Sequence, residues 1–146
     1  MSMTGIEAFD TTLQKTHVWL NELMQEMGWE SGERHKAYLG LRSVLHALRD
    51  RLTIEEAVQL GAQLPMLIRG FYYEGWRLSG KPVRERHEEE FLSHIKAAFR
   101  DDVTVDPKRL ARAVLKLLAM RITAGEIEDI QHLLPRELRA LWPKAA

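Results

Sequence analysis

The sequence predicts an all-α protein of about eight helices, arranged as two pseudo-symmetric four-helix halves. Two observations lead to this prediction. Apolar residues recur at helical spacing along the chain, and no stretch keeps the polar–apolar alternation that is typical of a strand. Residues 41–69 also match residues 111–139 without a gap, at an offset of 70 residues. A repeat of this length in two copies indicates the internal duplication of a helical unit.

The duplication predicts how the chain is organised. We expect a single domain over residues 1–146, made of repeat 1 (5–76) and repeat 2 (84–142). The segment RLSGKPV (77–83) contains Gly, Ser and Pro and is predicted to be the linker between the repeats. Identical residues recur at matched positions, among them Leu45/Leu115, Leu48/Leu118, Thr53/Thr123, Glu56/Glu126, Pro65/Pro135 and Arg69/Arg139.

The apolar stripes place the individual helices. They predict a first helix over roughly 5–28, a second over roughly 33–51, a short third, and a short fourth that begins at Pro65. The second half repeats this order of elements. The residues expected to face its core are Phe91, Ile95, Ala98, Phe99, Leu110, Val114, Leu117, Leu118, Ile127, Ile130, Leu138, Leu141 and Trp142.

Capping residues predict where several helices start. Thr53 and Thr123 each precede a glutamate by three positions, which is the spacing of a capping box. In that motif the threonine hydroxyl accepts a backbone N–H, and the glutamate reaches back to the N–H of the cap. Thr4 and Glu7 have the same spacing near the start of the chain. Asp106, which precedes a proline, is predicted to be an N-cap.

Composition excludes several classes of function. The 146 residues include no cysteine, so disulfides, thiolate metal sites and cysteine nucleophiles are excluded. The 21 basic and 21 acidic residues give zero formal net charge, which disfavours a general nucleic-acid binder. No signal-peptide pattern and no apolar run of ~20 residues is present. We therefore expect a cytoplasmic protein without a membrane partner.

Three strings cover much of the chain and are more distinctive than its composition: HALRDRL (46–52), QLGAQLPMLIRGFYYEGW (59–76) and AGEIEDIQHLLPRELRALW (124–142). Together they resemble a bacterial family known as domain of unknown function 2267. The resemblance implies a helical fold. It implies no activity and carries over no site residues, because the family has no established activity.

The aromatic end of the first repeat is the best candidate for a partner-binding surface. Tyr73, Glu74 and Trp76 have no counterpart in the second half, and Tyr and Trp are enriched at interfaces. The alternatives are a packed seam between the halves or a small-molecule pocket. Gly70, inside a predicted helix, is expected to permit a close helix crossing.

Two other groups of residues suggest chemistry. Lys108, Arg112 and Lys116 recur at every fourth position with Arg109 beside them, which could form a basic stripe for nucleic acid. The trio His87, Glu90 and His94 lies at the spacing i, i+3, i+7 of one helical face, although a solvated charge run gives the same pattern. We therefore predict no metal site, no cofactor and no catalytic residue, and the enzyme class is left open.

We predict a non-catalytic helical module that binds an unknown protein partner or associates with itself. The alternatives are a nucleic-acid-binding protein that uses the basic stripe, and a sensor or enzyme that binds a metal or a small molecule.

Overall fold

The computed structural model describes residues 3–144. These residues form eight α-helices and one 3₁₀ turn, and they contain no strand. The all-α class and the predicted number of helices are confirmed. The helices are α1 (Glu7–Met27), α2 (Arg34–Arg51), α3 (Ile54–Gln63), α4 (Met66–Tyr73), α5 (Glu88–Ala98), α6 (Pro107–Arg121), α7 (Ala124–Leu133) and α8 (Arg136–Arg139), and the 3₁₀ turn is Ser31–Glu33.

Helices α1, α2, α5 and α6 form the centre of the protein. Helix α2 contacts the other three, and α6 contacts α1 and α5. Their facing side chains are almost fully buried, because each helix has an apolar stripe at the period of 3.6 residues. Helices α3 and α7 contact each other beside this group. The largest fully buried side chains of the central group are Leu23, Leu41, Leu45, Leu48, Ile95, Leu110 and Leu115.

Helices α3, α6 and α7 begin as the sequence predicts. Thr53 Oγ1 accepts the backbone N–H of Glu56 at 3.2 Å, and Thr123 Oγ1 accepts that of Glu126 at 3.4 Å. Asp106 Oδ1 accepts two backbone N–H groups in the first turn of α6. These side chains satisfy N–H groups that have no partner within their own helix.

Both predicted capping boxes are only half formed, because within residues 3–144 neither Glu56 nor Glu126 accepts the backbone N–H of its threonine cap. At Thr123 another side chain takes that position. The backbone N–H of Thr123 donates to Gln63 Oε1 at 3.0 Å, and Gln63 Nε2 donates to Thr123 Oγ1 at 3.1 Å. The amide of Gln63, at the end of α3, thus occupies the position that we expected for Glu126. Glu126 is released from the cap and turns towards Glu56.

The expected cap at Thr4 is wrong. Helix α1 begins at Glu7, and the residue before it, Ile6, provides no side-chain cap. Instead, Asp10 Oδ1 accepts from both the backbone N–H of Thr4, at 3.0 Å, and its hydroxyl, at 2.8 Å. The acidic partner lies one helical turn further along than the sequence pattern suggests.

The two halves correspond in their helix positions. Helix α7 begins 70 residues after α3, and α8 begins 70 residues after α4. Two pairs of residues at this same offset also lie close together, Gly40 with Leu110 and Glu56 with Glu126. The duplication itself stays a prediction, as do the repeat and linker boundaries.

The predicted linker lies in the non-helical stretch between α4 and α5. Its end is attached to the end of α2, because Val83 N donates to the Asp50 carbonyl at 2.9 Å. Two residues further on, the Glu85 carbonyl accepts from Arg51 Nε at 2.6 Å. These bonds fix the path of the chain between the first four helices and the last four.

Candidate functional site

An open apolar groove runs between α1, the first turns of α2, and α4. Its volume is about 820 Å³. Three large side chains at its edges are half exposed: Phe9 at 47%, Met66 at 45% and Leu67 at 41%. Exposed apolar side chains that lie together mark interaction sites more often than scattered ones do. The lining residues are Thr4, Phe9, Thr12, Leu13, Thr16, Leu20, Arg34, His35, Tyr38, Met66, Leu67, Gly70, Phe71 and Glu74.

The polar groups of α1 that line the groove are already used. Thr12 Oγ1 accepts the backbone N–H of Leu67 at 2.8 Å, which satisfies a donor in the first turn of α4. The hydroxyl of Thr16 donates to the Thr12 carbonyl at 2.7 Å. The surface that these bonds leave between α1 and α4 is therefore predominantly apolar.

Of the charged side chains that line the groove, the acidic one has an ion-pair partner and the basic one has none within residues 3–144. Glu74 Oε1 lies 2.8 Å from Arg42 Nη2, so its charge has a partner. Arg34 is exposed and has no hydrogen bond or ion pair within residues 3–144. The groove therefore presents an unpaired positive charge, beside the ring of His35.

Gly70 forms part of the groove floor. A Cβ atom built on Gly70 meets nothing within 4 Å, so the expected close helix crossing at this residue is wrong. The close approach occurs at Gly61 in α3. There a Cβ atom would lie 2.3 Å from Tyr73 Oη and 2.7 Å from its Cζ.

These two helical glycines are expected to respond oppositely to alanine. Gly70→Ala should raise the free energy of unfolding by about 0.5–1 kcal/mol, because the new methyl group meets open space and alanine favours the helix. Gly61→Ala should lower it by about 1 kcal/mol, because overpacking against Tyr73 outweighs the same helical gain. Urea unfolding of both variants measures the difference. Equal effects of the two substitutions would contradict these environments.

The aromatic residues that were predicted to bind a partner pack partly against the protein itself. Tyr73 stacks on Trp76 with ring centroids 5.5 Å apart, and its hydroxyl lies against α3. Both rings are half-buried against the core, whereas the Glu74 side chain is exposed. Nothing in this arrangement tests binding, so a contact at Tyr73, Glu74 and Trp76 stays a prediction.

Arg49 organises this segment, and sequence reasoning missed it. Its side chain is 4% exposed, and its guanidinium donates to the carbonyls of Tyr72, at 2.7 Å, and Glu74, at 3.1 Å. These carbonyls lie at the end of α4, where a cation complements the helix dipole. The matched position in the second half is Ala119, and this difference between the repeats was the available signal.

His46 lies beside Arg49 on α2 and also contacts the end of α4. Its Nε2 is 2.7 Å from the Phe71 carbonyl, a geometry in which a neutral ring donates the Nε2 proton. Burial lowers the pKa of His46; the Phe71 carbonyl opposes this effect, and the charges of Arg49 and Arg42 add to it. The ring therefore stays neutral in the folded protein to a lower pH than in the unfolded chain.

The lowered pKa of His46 predicts a stability that falls in acid. Since the unfolded chain takes up the proton first, the free energy of unfolding should decrease as the pH falls below the ordinary histidine value of 6.5. His46→Gln keeps an N–H donor but does not titrate, so its stability should change less from about pH 7.5 to about pH 5. His132→Gln, at an exposed position, is the control and should keep the wild-type slope in urea unfolding. Equal slopes for all three proteins would contradict the assignment.

The predicted basic stripe lies along one cleft on α6. Lys108, Arg109, Arg112 and Lys116 all line this cleft, whose volume is about 580 Å³. Acidic groups neutralise part of the stripe: Lys108 pairs with Glu88 at 3.1 Å, and Lys116 pairs with Glu26 at 3.0 Å. Arg112 alone of the four has no polar partner in the described part of the chain. Nucleic-acid binding stays a prediction.

The trio His87, Glu90 and His94 is not brought together. Glu90 Oε1 accepts the backbone N–H of His87 at 3.1 Å and completes the cap of α5. The ring of His87 faces Glu137, and the ring of His94 faces Glu85. Each of the three is thus engaged with a different group.

A different set of ligand-type side chains meets between α3 and α7. One carboxylate oxygen each from Glu56, Glu126 and Asp129 lies within 4.8 Å of the other two. Glu56 and Glu126 are buried, at 8% and 7% exposure, and Asp129 is exposed. Burial, followed by the neighbouring Glu56, raises the pKa of Glu126 to about 7. Sequence reasoning missed this cluster, because the spacing of both glutamates predicts capping boxes instead.

The fold and these surfaces define a class: an all-helical protein with an open groove on α1 and α4 and a carboxylate cluster between α3 and α7. The family described as "Uncharacterized conserved protein (DUF2267)" matches residues 16–141. The chain belongs to this family, which confirms the resemblance seen in the sequence. A search of curated proteins gives no match. Among residues 3–144, no helix combines the length and the apolar character needed to cross a membrane.

Proposed function

We propose that this protein is a non-catalytic interaction module whose groove binds an amphipathic helix from a partner protein. The observation that carries the proposal is the open floor at Gly70, beside the half-exposed Met66 and Leu67. An amphipathic helix in such a groove buries a row of apolar side chains spaced i, i+3, i+4 and i+7. Helices α1 and α4 would form the two walls, with Phe71 and Leu20 buried beneath them.

Charge complementarity indicates which kind of amphipathic helix the groove prefers. The exposed Arg34 lacks a partner among residues 3–144, whereas Glu74 is paired with Arg42. A bound helix with an acidic side chain next to its apolar row would supply the missing partner. The half-exposed apolar edges would lose contact with water at the same time, which favours association. We therefore expect an acidic amphipathic helix in preference to a basic one.

A designed peptide tests this proposal directly. The probe is a synthetic helix with leucines at i, i+3, i+4 and i+7 and one glutamate after the last leucine, titrated into ¹⁵N-labelled protein. Chemical-shift changes are expected on α1, on α4 and around Arg34. A second peptide with arginine in place of the glutamate should bind more weakly, because it places a positive charge near Arg34.

Two glycine variants provide a matched pair for this titration. Gly70→Leu fills the groove floor and should weaken binding at least ~10-fold. Gly125→Leu, in α7, also adds a side chain where a Cβ atom meets nothing within 4 Å, but lies outside the groove and should bind the peptide normally. Equal binding by the two variants, or shifts spread over the whole protein, would overturn the proposal.

Two further outcomes would replace the partner helix by another occupant. A wild-type dimer that Gly70→Leu dissociates would make a second copy of this chain the occupant. An added mass in the native mass spectrum of the purified protein, absent from Gly70→Leu, would make a small molecule the occupant. Either result counts against the partner helix. A partner contact at Tyr73, Glu74 and Trp76 would extend the same surface, since Glu74 belongs to both.

A further inference from the structure

Two acidic side chains face each other inside the protein with no group to neutralise them. Glu56 in α3 and Glu126 in α7 are each more than nine-tenths buried, at 8% and 7% exposure. The Oε1 atom of each is buried and has no hydrogen-bond donor anywhere in residues 3–144. Burial of an unpaired carboxylate is costly, so this pair requires either a shared proton or a bound cation.

The neighbouring elements do not supply a compensating positive charge. No Lys, Arg or His forms an ion pair or hydrogen bond with either glutamate in the described part of the chain. The nearby hydroxyl of Tyr72, in α4, donates to the Ala57 carbonyl at 2.6 Å. The amide of Gln63 is engaged with Thr123. The first-turn backbone N–H groups of α3 and α7 offer only partial positive charge.

The third carboxylate completes a set of ligands. One oxygen from each of Glu56, Glu126 and Asp129 lies within 4.8 Å of the other two. Oxygen ligands on opposite sides of a hard divalent ion are ~4–5 Å apart, since each bond is ~2.0–2.6 Å long. Because Asp129 is exposed, an ion could enter from its side and keep water molecules there. An all-oxygen, all-carboxylate set suits Mg²⁺, Ca²⁺ or Mn²⁺.

We propose that Glu56, Glu126 and Asp129 bind one hard divalent cation at the contact between α3 and α7. Both glutamates contribute a ligand atom to this cluster and each has a buried oxygen without a partner among the described residues, so a bound ion would supply the missing positive charge. The ion would link a helix of the first half to a helix of the second. This site is separate from the groove and does not depend on the function proposed for it.

Manganese titration tests the site. After dialysis against a chelator, the whole protein is titrated with Mn²⁺ and free Mn²⁺ is followed by electron paramagnetic resonance. One ion per chain is expected, with a rise of several degrees in melting temperature, because binding to the folded state alone stabilises it. Glu126→Gln and Asp129→Asn should each weaken binding by ~10-fold or more, since each removes a charged ligand.

The controls separate this site from non-specific binding. Glu128→Gln, at an exposed position on the same helix, should leave the Mn²⁺ affinity unchanged. Glu126→Gln removes a like-charge contact and is expected to fold, and Asp129→Asn changes only an exposed side chain, so at least one variant reports on a folded protein. Absence of binding by the wild type would overturn the proposal and leave a proton shared between Glu56 and Glu126 as the neutralising charge. Binding that is insensitive to Glu126→Gln and Asp129→Asn would overturn it as well.

Discussion

Arg49→Met is expected to lower the free energy of unfolding by about 2–4 kcal/mol, because a buried carbonyl that loses its donor costs ~1–3 kcal/mol. The substitution removes the donors to two carbonyls at the end of α4. It also removes the partner of Asp50, whose Oδ1 lies 2.9 Å from Arg49 Nε. Methionine is of similar length, so lost packing makes a small contribution. Urea unfolding at neutral pH measures the change.

The matched control for Arg49 is Arg42 on the same helix. Arg42 pairs with Glu74 at 2.8 Å, but these side chains are 34% and 61% exposed. An exposed pair contributes little, so Arg42→Met should cost about 1 kcal/mol or less. Hydrogen exchange should show faster opening of α4 in Arg49→Met only. Similar losses in the two variants would mean that burial of Arg49 is not what stabilises α4.

The second large effect is expected where α2 meets α6. Leu110 is fully buried, and a Cβ atom on Gly40 would lie 2.9 Å from its Cδ1 atom. Leu110→Ala should cost about 2–5 kcal/mol, because it leaves a cavity that the helices fill incompletely. Gly40→Ala should cost about 1–2 kcal/mol, because the new methyl group displaces Leu110.

The double variant makes this contact testable. With Gly40→Ala present, Leu110→Ala should cost less than it does alone, because the added methyl group occupies part of the cavity and no longer meets the leucine. Residues in direct contact couple by about 0.5–3 kcal/mol. A double-mutant cycle from urea unfolding gives this coupling energy. Additive effects would show that α2 and α6 are further apart than the contact between these residues requires.

The helices were predictable because they follow from local signals. Hydrophobic period, the caps at Thr53 and Thr123, and Asp106 before a proline each act within one or two turns of the chain. Thr4 failed for the same local reason, since Asp10 lies beyond the three-residue spacing that the motif describes. Local rules therefore identify which segments are helical better than they place the first residue.

The candidate sites depend on pairs that are distant in sequence. Arg49 donates to carbonyls 23 and 25 positions away. Gln63 accepts the backbone N–H of the helix cap Thr123, 60 positions away. That exchange frees Glu126 to face Glu56, which no spacing rule describes. The groove also arises from tertiary packing, because its walls come from the two ends of the first repeat. The comparison of the two repeats, in which Arg49 matches Ala119, is the one sequence signal that pointed towards any of these groups, namely towards Arg49.

The groove has a consequence for the protein in concentrated solution. With zero formal net charge and a pI near 7.0, neighbouring molecules gain little electrostatic repulsion at neutral pH. The half-exposed side chains of Phe9, Met66 and Leu67 then offer an apolar contact surface to colliding molecules. Solubility should be lowest near pH 7 and rise on either side as net charge accumulates. The surface suited to a specific partner thus also contributes to the colloidal behaviour of the protein when that partner is absent.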